Sequence, residues 1–122
     1  MLAFFRARMR SFGHAMRGVQ FLIRSERHAQ IHLLATLVAV VCGLVLSISA
    51  VEWCLVSLAI GLVWATETLN TALERLVDLC SPQHNKVAGQ AKDLAAGAVL
   101  LAAVAAAIVG LVIFLPRIAA FL

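Results

Sequence analysis

Between Trp64 and Asp78 the chain places Glu67, Asn70, Thr71, Glu74 and Asp78 at successive spacings of 3, 1, 3 and 4 residues. At ~100° per residue these side chains fall within about a 100° arc of a helix, one polar stripe among Leu, Ala and Val. Carboxylates and a carboxamide aligned this way suit two kinds of chemistry. They can hold a hard cation, which takes oxygen ligands, and they can move protons as general bases. Carboxylates within a membrane span are expensive and point to function by default. A helix that only crosses a bilayer has no use for them.

The rest of the chain shows that a bilayer is the setting. Of 122 residues, 63% are hydrophobic and 13% charged, and the mean hydropathy is +1.00. So few charges cannot cover so much apolar surface in water, so the composition implies an all-α integral membrane protein of one domain, residues 1–122. The net charge of +4 is unevenly placed. Arg6, Arg8, Arg10, Arg17, Arg24 and Arg27 precede the first long apolar run, Arg75, Lys86 and Lys92 flank the second connection, and only Arg117 lies beyond the third run. The positive-inside rule makes the side carrying nine of these ten cytoplasmic. Nucleic-acid binding is not expected, because the arginines lie dispersed beside spans rather than among base-stacking aromatics. Cys42, Cys54 and Cys80 form no Cys-x-x-Cys pair and read as small buried hydrophobes. The first 28 residues hold no uninterrupted apolar core of ~7–15 residues, so a cleaved signal peptide is not expected.

Residues of about 3–25 mix Phe4, Phe5, Met9, Phe12 and Met16 with arginines, the pattern of an amphipathic surface helix lying in the interface. Three spans follow, at about 29–48, 53–79 and 90–115. His32 reads as an interfacial or packing histidine near the edge of the first span. Residues 47–52 read as a tight outer turn, with Trp53 as an interfacial anchor. The second span is longer than the hydrocarbon is thick, so its striped end reaches the cytoplasmic interface, with Glu67 near the inner hydrocarbon edge and Glu74 ~10 Å nearer the cytosol. Ser81-Pro-Gln-His-Asn85 is turn chemistry, and Pro116-Arg117 is expected to close the third, Ala-rich span. Three thin spans that must shelter polar groups imply oligomerisation.

Glu26, Glu67, Glu74 and Asp93 thus collect at one end, with Lys92 beside the last. Two carboxylates within reach of the cytosol suit a magnesium–nucleotide site, a deeper, apolar-flanked carboxylate suits a general base, and Lys92 suits a phosphate charge. Interhelical hydrogen bonding and interfacial salt bridges would place the same residues without catalysis. No Gly-x-x-x-x-Gly-Lys loop and no protein-kinase loop occurs.

Glu67-Thr-Leu-Asn70-Thr-Ala-Leu-Glu74, then Asp78, then Ala91-Lys92-Asp93-Leu-Ala-Ala-Gly97, resembles the prokaryotic diacylglycerol kinase and undecaprenol kinase family. Ser25-Glu26-Arg27 with Ile31-His32-Leu33-Leu34, and Arg10 to Gly18, match as well, so the resemblance spans nearly the whole chain. It implies a homotrimer of three-span subunits in the bacterial cytoplasmic (inner) membrane, amino terminus and active site toward the cytosol. It further implies ATP as co-substrate with Mg2+, and a membrane lipid alcohol as phosphate acceptor, in sites shared between protomers. By motif, Glu67 takes the catalytic-base and substrate position. Glu26 and Glu74 take the metal and nucleotide positions, Asn70 and Asp78 support them, and Lys92 and Asp93 contact the nucleotide. His14, where the family often has Tyr, and Gln83, His84 and Asn85, where it usually reads Glu-Tyr-His, match further nucleotide contacts. The segment around Glu26 and His32 looks more like the undecaprenol-kinase branch than the diacylglycerol-kinase branch. The rival readings are a small proton-coupled transporter with Glu67 as its protonatable site and, more distantly, a scaffold; neither gives Glu26, Glu74, Lys92 and Asp93 a role.

Overall fold

The computed structural model describes residues 1–83 and 85–120, arranged as four helices. These are α1 (Leu2–Ser25), α2 (Arg27–Val45), α3 (Ala50–Cys80) and α4 (Lys86–Ala119). The last three are each long and apolar enough to cross a membrane.

One extended residue separates α1 from α2. Glu26, at φ −112° and ψ 121°, ends the first helix and starts the second, its amide donating to the Leu22 carbonyl at 3.0 Å. The corner is packed by Leu22 and Ala29, which are almost fully buried, and closed by Gln30 Nε2 donating to the Ile23 carbonyl at 3.2 Å. This corner fixes where Glu26 can point. The apolar side of α1 is otherwise uncovered, with Phe4, Phe5, Met9 and Phe12 exposed, as befits a helix whose apolar face rests on lipid.

The turn between α2 and α3 is shorter than the expected one, and α3 starts earlier. Ser47 takes a left-handed φ of 49°, the conformation that ends a helix at little length. Ser49 then caps α3: its hydroxyl accepts from the Glu52 amide at 3.3 Å while Glu52 Oε2 accepts from the Ser49 amide at 2.7 Å. This reciprocal box satisfies two end donors, so the helix begins at Ala50 rather than near Trp53 and Glu52 lies inside it. At the other end of the molecule, Asn85 accepts from the Val87 amide at 2.8 Å and starts α4 at Lys86, ahead of the expected 90. Nor does Pro116 close this helix, which runs on to Ala119. A proline so near the end forfeits one ladder bond, to the carbonyl of residue 112, and Ala120 donates back to Pro116 to complete the final turn.

Arg117 turns back along the helix, donating to the Ile113 carbonyl at 2.9 Å. Its guanidinium also grips Glu52 with both nitrogens at 2.7 Å, a two-pronged geometry that joins the far ends of α3 and α4. Beside this clasp Ile48, Val56 and Ile113 form a small core, packed by Trp53, Ile60 and Phe114. α3 and α4 lie along each other over most of their length. By ~1.5 Å per residue they are about 46 Å and 51 Å long, well beyond the ~30 Å of hydrocarbon. Both helices are therefore long enough to project past the apolar slab. Leu58 on α3 and Leu101 on α4 are 71% and 73% exposed, faces that only lipid or another subunit can cover. Cys54 and Cys80 lie on such open faces and are not buried.

Among the glycines, Gly43 has the closest neighbours. A Cβ there would meet the Trp53 ring at 2.7 Å and Ile48 at 3.1 Å. Gly43→Ala should therefore lower stability by about 1–3 kcal/mol through overpacking. A thermal midpoint in detergent equal to that of the wild type would contradict this contact.

Candidate active site

The polar stripe of α3 grades from interior to water. Glu67 is 4% exposed and Thr71 7%, Asn70 and Glu74 are half-buried, and the Asp78 side chain is 66% exposed. The grading follows from the fold. Glu67 lies where α2 covers α3, and Asp78 lies in the last turn of α3, beyond that cover.

At the deep end, none of the hydrogen bonds among the described residues reaches the Glu67 carboxylate. Its neighbour is His32 of α2, whose Nε2 lies 3.8 Å from Glu67 Oε2. That separation is an ion-pair distance, longer than a hydrogen bond. One bond holds the helices in this register: Trp64 Nε1 donates to Thr36 Oγ1 at 3.0 Å, while Thr36 Oγ1 donates within α2 to the His32 carbonyl at 2.7 Å. A cavity of about 300 Å³ extends from His32 and Thr36 between α2, α3 and α4, lined by Val56, Ile60, Ala103 and Phe114 among others. With the Thr36 hydroxyl already used, the His32 ring is its principal polar feature.

One turn on, Asn70 Nδ2 donates to Glu74 Oε1 at 3.4 Å. Because a carboxylate faces the amide nitrogen, the Asn70 Oδ1 points away, buried and without a hydrogen-bond partner. An acceptor oxygen left so is one that a cation or a donor would satisfy. Glu26 reaches the same end of the molecule from the α1–α2 corner. Arg75 Nη2 lies 3.5 Å from its Oε1, with the guanidinium 4.3 Å above the Phe21 ring, so α1, the corner and α3 are tied together. Nearest water, Lys92 Nζ pairs with Asp78 Oδ1 at 2.9 Å, beside a shallow depression formed with Ser81, Gln83 and Asn85.

The structure thus brings Glu67, Asn70, Glu74, Asp78, Lys92 and Glu26 to one end of the bundle, as linked pairs rather than as one cluster. Among the described residues no three His, Cys, Asp or Glu side chains converge as a metal-binding group. Asp93 is exposed and opens instead onto a groove with Gln90, Leu94, Gly97 and Leu101 on another face of α4, because a step of one residue turns a helix by ~100°. His14 is exposed on α1, its Nδ1 2.7 Å from Arg17 Nη2. Asn85 spends its side chain on capping α4, and Gln83 is exposed in the turn. His84 lies outside the described residues.

Comparison with known proteins now bears on this arrangement. The profile of the family Prokaryotic diacylglycerol kinase matches residues 13–114. The chain belongs to that family. An undecaprenol kinase of Bacillus subtilis is 44% identical over 108 residues, covering 88% of both chains. A diacylglycerol kinase of Synechocystis is 41% identical over 107 residues, which is 87% of this chain and 61% of that protein. A diacylglycerol kinase of Escherichia coli K12 is 30% identical over 100 residues, 82% of each. The chain is accordingly an enzyme, a membrane lipid kinase, and the kinase reading prevails over the transporter.

For a prokaryotic diacylglycerol kinase family member, the side chain that hydropathy undervalues is His32. The signal was available: an ionisable residue inside an apolar span, with Thr36 four residues on and therefore on the same helix face, deserves the same suspicion as Glu67. The Trp64–Thr36 bond is a tertiary pairing with no sequence signature. Thr36→Val should leave the half-buried indole N–H without an acceptor and cost about 1–3 kcal/mol, read as earlier unfolding in a denaturant titration. Unfolding at the wild-type midpoint would show that this bond does not hold α2 on α3.

Proposed function

We propose that this kinase transfers the γ-phosphate of MgATP to the hydroxyl of a membrane lipid alcohol, with undecaprenol favoured over diacylglycerol. The observation that carries the reading is Glu67: a buried carboxylate, unbonded among the described residues, at the inner end of a stripe that reaches water at Asp78. A lipid hydroxyl arrives from the bilayer and phosphates arrive from the cytosol, and this stripe connects the two. The apolar cavity next to His32 has the size and lining to take part of a hydrocarbon chain. The choice of lipid is supported by the 44% identity to the Bacillus subtilis undecaprenol kinase over 88% of both chains, against 30% to the Escherichia coli diacylglycerol kinase.

In this reading Glu67 accepts the hydroxyl proton as general base while the oxygen attacks the γ-phosphorus in line. Glu26 and Glu74 would hold Mg2+. The fit rests on Glu74 and on the unpartnered Asn70 Oδ1 beside it, since this ion takes one or two carboxylates and completes its shell with phosphate oxygens and water. When bound, the ion neutralises phosphate charge. Asn70 orients Glu74, Asp78 holds Lys92 near the phosphates, and Arg75 keeps Glu26 turned toward α3. Gln83 and Asn85, beside Lys92 in one depression, contact the nucleotide with it, whereas Asp93, and with it His14, belongs to the nucleotide site of an adjoining protomer in a homotrimer. That arrangement gives purpose to Asp93 facing away from Lys92 and to the uncovered faces of α3 and α4. The basic α1 and Arg75, Lys86 and Lys92 orient this end toward the cytosol of a bacterial inner membrane.

Protein in mixed micelles should form ADP from MgATP only when a lipid alcohol is added, and faster with undecaprenol than with diacylglycerol. No ADP with either lipid would contradict the kinase reading, and a preference for diacylglycerol would reverse the assignment of acceptor.

A further inference from the structure

A kinase that uses a buried general base must also discharge it. Each transfer leaves the lipid's proton on Glu67, whose side chain is 5% exposed, and the next turnover needs the carboxylate back. We propose that His32 is the proton relay for Glu67, receiving the proton at Nε2 and passing it to water. The proposal rests on the kinase reading above and extends it to a second residue.

Three observations point to it. First, the His32 ring is the one cationic or titratable nitrogen within 4.0 Å of the Glu67 carboxylate among the described residues. Second, the ring is less enclosed than the carboxylate: its side chain is 19% exposed against 5% for Glu67, and it lies in the second turn of α2, close to the helix start at Arg27. Third, the backbone that carries the ring is held, because the Trp64–Thr36 bond fixes α2 against α3 one turn from Glu67 and Thr36 also donates to the His32 carbonyl. The 3.8 Å gap exceeds a hydrogen bond, and such contacts commonly tighten once substrate is bound. Groups facing the ring from other elements do not compete. Among the described residues no carboxylate of α1 or α4 comes within 4.0 Å of it, and α4 contributes Ala103, Ala106, Val109 and Phe114 to the cavity below. On its own helix, His28 lies one turn away and exposed.

The step balances. The lipid O–H bond breaks and its proton goes to Glu67. The oxygen bonds to the γ-phosphorus as the bond from that phosphorus to the bridging oxygen breaks, its electron pair leaving with ADP. A neutral His32 protonated at Nδ1 then takes the proton from Glu67 at Nε2 and, as imidazolium, releases it to solvent. One proton leaves per phosphate transferred, and both side chains return to their starting state. His32 touches no reacting atom of the lipid or the nucleotide in this scheme and acts through Glu67, as a positioning residue.

The test is a pH–rate profile of lipid-dependent ADP formation from about pH 5.5 to about pH 8.5, the range in which a histidine relay makes the rate depend on pH. Wild-type kcat should fall on the acid side, where a ring already protonated cannot accept. His32→Gln should lower kcat about 10–100-fold at neutral pH, less than the ~10²–10⁴-fold of a group that transfers the proton directly, change the lipid KM by less than about threefold, and lose the acid limb. An unchanged kcat, or a reduced one with the acid limb intact, would overturn the relay. Since His32→Gln also bears on the α2–α3 contact, His32→Ala is assayed with imidazole in the buffer. Saturable recovery of rate supports the relay, and no recovery counts against it. A wild-type protein that forms no ADP with lipid refutes the kinase reading itself, whereas an active wild type with either contrary result refutes the relay alone.

Discussion

A carboxylate held inside an apolar bundle is the constraint on which the rest of this structure depends. Burying such a group without partners is costly, and lipid offers none. Glu67 is nevertheless among the most buried of the described residues, met by one histidine at ion-pair distance. The surrounding structure keeps it there. The Trp64–Thr36 bond holds α2 over it, the long contact of α3 with α4 closes another side, and the Arg117–Glu52 clasp fastens those two helices at their far ends. Stability is supplied at one end of the bundle and an unsatisfied acid is maintained at the other. That division is expected of an enzyme whose base must stay unshared until its substrate arrives.

Helix length turns this one residue into a site. α3 is longer than the bilayer's apolar thickness, so a single stripe runs from dry interior to water, and each side chain on it meets a different dielectric. Glu67 is buried, Asn70 and Glu74 are half-buried, and the Asp78 side chain paired with Lys92 is 66% exposed. A reaction between a lipid-borne hydroxyl and a water-borne nucleotide needs such a gradient. The Glu26 corner brings a further carboxylate to the same end by a route independent of the stripe, through a one-residue break rather than a loop.

Much of this was legible from residues alone. The stripe, its depth order and the four helices follow from period, hydropathy and charge, because a membrane leaves few architectures open. What escaped has physical causes. Glu52 looks like a loop residue by polarity, yet the Ser49–Glu52 box makes it the first turn of α3. Pro116 looks like a stop, yet in a last turn it forfeits a single bond. His32 looks like an edge residue until the α2–α3 packing sets it on Glu67, a tertiary fact that no local pattern encodes. Lys92 and Asp93 look like a pair, yet neighbours on a helix diverge, so one meets Asp78 and the other a separate face.

The central claim is that Glu67 is the base, and a single-turnover measurement on Glu67→Gln addresses it most directly. The amide matches the carboxylate in size and cannot take a proton. With labelled ATP bound to the variant in lipid-containing micelles, nucleotide affinity should remain near that of the wild type while phosphate transfer to lipid falls about 10²–10⁴-fold, the span attributed to a positioned base. Transfer at the wild-type rate with nucleotide bound would contradict the account, and would make the buried acid a structural feature instead of the residue that deprotonates the lipid.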